Sequence, residues 1–114
     1  MKTFSDQQKI AIMRILMDII EADGRIDYRE EAYYDQLKDE LQITFDARED
    51  VKQKNSLMAL AQVKYFDDEQ KTYLANLMAN MVVVDEDINI NEVKIYDVVC
   101  EYAGINIPFS RTVK

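Results

Sequence analysis

Glu21-Ala22-Asp23-Gly24-Arg25-Ile26-Asp27-Tyr28-Arg29-Glu30 decides how this chain is read, because a relative of it returns later. The second copy is Val83-Val84-Asp85-Glu86-Asp87-Ile88-Asn89-Ile90-Asn91-Glu92. One shift of 62 residues carries Asp23 onto Asp85 and Glu30 onto Glu92. Each copy follows an apolar run with helical spacing and opens another such run. The unit is therefore a helix, an acidic turn and a second helix, used twice.

Working outward, the same shift aligns apolar positions. Leu16 falls on Met78, Ile20 on Val82, Ile26 on Ile88, Leu37 on Val99 and Ile43 on Ile105. Two copies are too few for a solenoid. The pattern predicts an all-α fold of about five helices in one compact domain spanning 1–114. Two duplicated helical hairpins, 6–43 and 68–105, would be joined by a connecting helix and followed by a tail over 105–114. Two glycines and one proline in 114 residues agree, since sheet proteins need many more turn formers.

Capping boxes mark the helix starts: Ser5–Gln8, Asp27–Glu30, Asp46–Glu49, Asp67–Gln70 and Asn89–Glu92. The first helix reads as about Asp6 to Ala22. Ile12, Ile15, Leu16, Ile19 and Ile20 face inward, Met13 and Met17 widen that face, and Arg14, Asp18 and Glu21 form a thin polar stripe. A helix this apolar belongs at the centre of its domain. The second reads as Tyr28 to Leu41, with Tyr34, Leu37 and Leu41 inward. From Ala47 to Tyr65 the first half is polar and the second half carries Leu57, Met58, Leu60 and Ala61. That stretch reads either as one helix or as a loop and a shorter helix. The fourth helix reads as Asp68 to Val84 and the fifth as Ile90 to Ala103, stopped by Gly104 and Pro108. Ile105, Ile107 and Phe109 alternate, as in an extended tail laid on the helices or an exposed apolar arm.

The net charge of −8 argues against nucleic acid and anionic membrane as partners and permits cations or a basic protein surface. The absence of histidine removes His-based triads and His-containing metal sites. Cys100, the one cysteine, lies on an apolar stripe and reads as a buried inert thiol. No apolar run reaches the roughly 18 residues of a membrane span, and the start Met1-Lys2-Thr3-Phe4-Ser5-Asp6 lacks an apolar signal core. A cytoplasmic location is expected. No nucleophile elbow, phosphate loop, dinucleotide fingerprint or CxxC pair occurs, so the chain is not expected to be an enzyme.

Hard cations take oxygen ligands, so the acidic turns are candidate Ca²⁺ or Mg²⁺ sites. Asp23-Gly24-x-Ile26-Asp27-x-x-Glu30 matches the second half of an EF-hand loop. The first half fails, because Ile19 and Met81 stand where the leading aspartate is required. The alternative is structural. Asp27, Glu30, Asn89 and Glu92 would cap helices, Gly24 would supply a positive φ, and Ile26 and Ile88 would pin the turns to the core.

Ala22-Asp23-Gly24-Arg25-Ile26-Asp27-x-x-Glu30 resembles the hallmark of TerB-like domains, the family of tellurite-resistance proteins. Val84-Asp85-x-Asp87-Ile88-Asn89-x-Asn91-Glu92 resembles its second hallmark, and Tyr102-Ala103-Gly104-Ile105 also fits. The resemblance implies an all-helical duplicated fold, divalent-cation binding through acidic turns, and service as an interaction module in stress responses. The ligands it implies are Asp23, Asp27, Glu30, Asp85, Asp87 and Glu92. Glu86 stands where the family has glycine and Asn89 where the first copy has Asp27, which weakens the implied second site. The expected function is a non-catalytic acidic module with an unnamed protein partner. The alternative is a metal-free adaptor using an acidic face or the apolar tail.

Overall fold

A computed structural model of the chain describes residues 3–22, 24, 27–43, 47–84 and 88–109. Among them six helices and no strand are found: α1 (Asp6–Glu21), α2 (Tyr28–Glu40), α3 (Ala47–Gln53), α4 (Ser56–Val63), α5 (Asp68–Val83) and α6 (Ile90–Ala103). A shift of 62 carries both bounds of α1 onto those of α5, and the start of α2 onto the start of α6. The all-α reading holds. The Cα radius of gyration is 12.9 Å, against roughly 13 Å for a folded chain of this length.

Helix α1 packs against all five other helices, the central position its nearly all-round apolar surface calls for. Ala11, Ile12, Met13, Leu16 and Ile19 are fully buried. Across the core stand Leu74, Met78, Met81 and Val82 of α5, with Leu37 of α2 and Tyr96 of α6. Both long hairpin-opening helices begin with the complete predicted box. Ser5 Oγ accepts from Gln8 N at 3.1 Å while Gln8 Oε1 accepts from Ser5 N at 2.8 Å. Asp67 Oδ1 accepts from Gln70 N at 2.8 Å while Gln70 Oε1 accepts from Asp67 N at 3.0 Å.

The hairpin-closing helices end alike. Ile43 N donates to Lys38 O at 3.0 Å and Ile105 N to Cys100 O at 2.8 Å. These are the long return bonds of a Schellman ending, which needs a left-handed residue just before. Gln42 supplies it at φ 56° and Gly104 at φ 74°.

The connection is two helices. After α3, Asn55 takes an extended conformation and its Oδ1 accepts from Leu57 N at 2.7 Å, which starts α4 afresh. The inward face of α4 also differs from the large-residue pattern. Ala59 and Val63 are fully buried, whereas Leu57 is 74% and Met58 59% exposed. Alanine at the contact lets α4 lie close against α1, and the bulky residues turn outward.

The described part of the tail, residues 105–109, is laid on the helices; residues 110–114 lie outside the described residues. Ile105 is buried, the Tyr96 hydroxyl donates to Ile107 O at 2.7 Å, and Phe109 meets the Tyr96 ring edge-on at 5.5 Å. Residues 105–109 are therefore not an exposed arm.

Candidate functional site

The acidic turns come first. Asp23, Asp85 and Asp87 lie outside the described residues. Asp27 is the N-cap of α2: its Oδ1 accepts from Arg29 N at 2.8 Å. The Arg29 guanidinium then grips the same carboxylate in a fork, Nε to Oδ1 at 3.2 Å and Nη2 to Oδ2 at 3.3 Å. Arg29's side-chain and backbone bonds hold Asp27 below the usual aspartate range. Both carboxylate oxygens are thus engaged by one arginine. Asn89 repeats the cap at the start of α6, accepting from Asn91 N at 2.8 Å.

Glu30 and Glu92, the third residues of α2 and α6, are 1% and 0% exposed. The sequence placed them in capping boxes at the turn surface. Both side chains are buried, and each cap accepts from the second amide of its helix, Asp27 from Arg29 N and Asn89 from Asn91 N. Among the described residues no three acidic or cysteine side chains converge as a metal-binding group. Ile19 and Met81, where an EF-hand loop would carry its leading ligand, are fully buried. Gly24 has φ 75° with open space around its missing side chain, the backbone role expected of it. Ile88, expected to pin the second turn, is 53% exposed.

The polar stripe of α1 builds a second constellation. Arg14 Nη2 pairs with Asp18 Oδ1 at 3.2 Å, and Ser56 Oγ donates to Asp18 Oδ2 at 2.8 Å. Arg14 Nε donates to Ser56 Oγ at 3.2 Å and its Nη1 to Val51 O at 3.4 Å. This network bolts the end of α3 and the start of α4 to α1. On one side of it lies a cleft of about 290 Å³ between α1, α2 and α3, with Met17, Ile20 and Tyr34 among its walls and Glu21, Glu31 and Lys52 at its edge.

On the other side lies a larger cleft of about 420 Å³ between α1, α4 and α6. Its apolar lining is Ile15, Leu60, Ile95, Val98 and Val99, and Asp18, Glu21, Ser56 and Lys94 are its polar members. The helices that wall it leave large apolar groups in water. Leu57 and Met58 stand out from α4, and Val98 and Tyr102 (55% and 48% exposed) from α6. Lys64 lies over the Tyr102 ring at 5.4 Å. By spacing alone Leu57 and Met58 belong simply to the apolar half of the connection. The signal for this face was the surplus of large apolar residues on α4 beyond what one buried stripe uses.

Elsewhere Tyr73, Tyr33 and Cys100 are held in their neutral forms. Burial, and then the Glu40 carboxylate, push the Tyr73 hydroxyl up to about 12, and burial raises Tyr33 in the same direction. Burial pushes the Cys100 thiol up to about 11.

The chain matches no protein-family model. No curated protein matches it either. Among solved structures it is similar to a protein of unknown function from Porphyromonas gingivalis, with a TM-score of 0.80. Their sequences are 23% identical, and the match covers 99% of this chain and 97% of that one. At that identity the likeness concerns the fold. No helix among the described residues is long and apolar enough to cross a membrane.

Proposed function

We propose that this chain is a non-catalytic protein-interaction module of the TerB-like kind, and that its binding face is the cleft between α4 and α6. One observation carries the reading. Two neighbouring helices expose Leu57, Val98 and Tyr102 along an apolar cleft of about 420 Å³. Exposed apolar residues scattered singly are ordinary, whereas a group of them bordering a concave apolar surface marks an interaction site.

The metal-free form of the module is favoured. Asp27 is engaged by Arg29, and Glu30 and Glu92 are buried. The adaptor's apolar arm is replaced by the cleft, because residues 105–109 are already docked. A reducing, cytoplasmic setting suits the buried Cys100 thiol.

The test is capture from the source cell with immobilised wild-type protein and with Val98→Asp. Val98 is exposed, so the substitution leaves the core intact. A discrete protein retained by wild type and lost by the variant is the expected result. Capture that is absent, or unchanged by the variant, contradicts the reading.

A further inference from the structure

We propose that the cleft between α1, α2 and α3 binds a small zwitterion whose carboxylate and ammonium lie about 10 Å apart across an apolar body, the chemistry of a free apolar tripeptide. This site is separate from the α4–α6 face and does not rest on it. Helix α1 supplies one wall. Arg14, Met17 and Glu21 line the cleft at spacings of three and four, so they share one side of the helix. Seven residues separate Arg14 from Glu21, about 10 Å along the axis. The other two helices repeat this polarity. Lys52 of α3 follows Val51, whose carbonyl accepts from Arg14 Nη1 at 3.4 Å, so it joins the arginine end. Glu31 belongs to the first turn of α2, where the chain has just come round from Glu21, so it joins the glutamate end. Between the two ends Met17, Ile20 and Tyr34 make an apolar floor.

The charges at both ends are open to a ligand. Three of the five N–H groups of Arg14 are engaged inside the protein, by Ser56, Val51 and Asp18. Lys52 is exposed and makes no ion pair or hydrogen bond among the described residues, so it is the cation left for a carboxylate. Glu21 and Glu31 are exposed and equally without a partner among the described residues, so they are left for an ammonium. An uncharged molecule uses the apolar floor alone, and a singly charged one brings nothing to the opposite end. A dipolar ligand in one orientation satisfies both. Size limits it further. The cleft of about 290 Å³ stands at the lower limit of small-molecule sites, roughly 300–1,000 Å³. At about 3.3 Å per extended residue, three residues span the distance between the ends, and a longer chain carries its termini past them.

The experiment titrates alanyl-leucyl-alanine into the whole protein while amide shifts are followed at Met17, Ile20 and Tyr34. Its N-acetyl form, its C-terminal amide and ω-aminooctanoic acid, which holds the same two charges at a similar separation without peptide groups, are titrated alongside. The free tripeptide is expected to give saturable shifts centred on those residues, and blocking either terminus to weaken it about fivefold. Lys52→Gln is expected to weaken the free peptide as amidation does and to leave the amide form no weaker. Glu31→Gln is expected to do the same toward the N-acetyl form. Both residues are exposed, so the variants keep the core. ω-Aminooctanoic acid that binds as tightly supports the zwitterion site and makes an ω-amino acid its source, whereas weaker binding supports the peptide. Blocked forms that bind as well as the free peptide, shifts that ignore both variants, or no shifts at millimolar ligand overturn the proposal. Val98→Asp is expected to leave this binding unchanged, so a failure here leaves the α4–α6 face standing.

Discussion

Gln42 and Gly104 occupy the same left-handed position in the two hairpins, one at φ 56° and the other at φ 74°. Each precedes a residue whose amide closes back on the helix it ends. Glycine takes this conformation freely, whereas a residue with a Cβ is strained by roughly 1–2 kcal/mol.

Gln42→Gly is therefore expected to stabilise the protein. Part of the relieved strain is offset by the greater freedom of glycine in the unfolded chain, leaving a gain of about 0.5–1 kcal/mol. The reciprocal change, Gly104→Ala, should cost about 1 kcal/mol or more. No atom lies within 4 Å of the added Cβ, so the cost comes from the backbone alone. Urea unfolding of both variants measures the difference. A loss of stability in Gln42→Gly would show that the glutamine side chain contributes something its position does not reveal.

Asp27 titrates below its ordinary range because Arg29 holds the charged form. A depressed carboxylate stabilises the folded state above the unfolded-chain pKa, near 3.8, and that contribution is lost as pH falls through the lower folded value. Asp27→Asn keeps a capping oxygen, as Asn89 does, and removes the ion pair. The melting temperatures of wild type and variant should differ slightly at neutral pH and converge as the pH falls through the lowered folded value. A gap that persists in acid would assign the effect to the cap. The same pair tests the cation reading: Ca²⁺ or Mg²⁺ should leave the Gly24 amide of both proteins unmoved, and a saturable shift in wild type alone would restore Asp27 as a ligand.

Cys100 should be slow to react in the folded protein. Its thiol is buried and raised to about 11, so little thiolate exists near pH 8. Disulfide-exchange labelling at that pH should proceed only as fast as the protein opens, and should become rapid in denaturant. Rapid labelling of the native protein would contradict the burial of this face of α6.

Tyr96→Phe removes the hydroxyl that holds the Ile107 carbonyl and keeps the ring against Phe109. A loss of about 1 kcal/mol is expected, with faster amide exchange confined to residues 105–109. Unchanged exchange there would mean that apolar contact alone fixes the tail.

Local physics made most of the fold legible. Ser5, Asp67, Asn89 and Gly104 each commit the backbone within four residues, and the helices they bound fall within one residue of the spacing-based reading. Two features depended on packing and were not legible. Glu30 and Glu92 have the spacing of capping-box glutamates, and only the surrounding core decides that their side chains are buried. On α4, Leu57 and Met58 are better core residues than Ala59 by hydrophobicity. The close approach of α1 selects the small side chain instead, and with it creates the exposed face. The cleft was therefore not visible in the sequence, although all its residues were. Asn55 was readable in principle as a cap, but it sits in a polar stretch where nothing distinguishes it from a helix-surface residue.

Site-specific photo-crosslinking in the source cell tests the proposed binding face most directly, with the reactive side chain placed at Val98 in one variant and at Tyr28 in another. Both positions are exposed, so neither disturbs the core. A discrete protein adduct from position 98 with none from position 28 is the predicted result. No adduct from position 98, or the same adducts from both, would contradict the assignment of the α4–α6 cleft as the binding face.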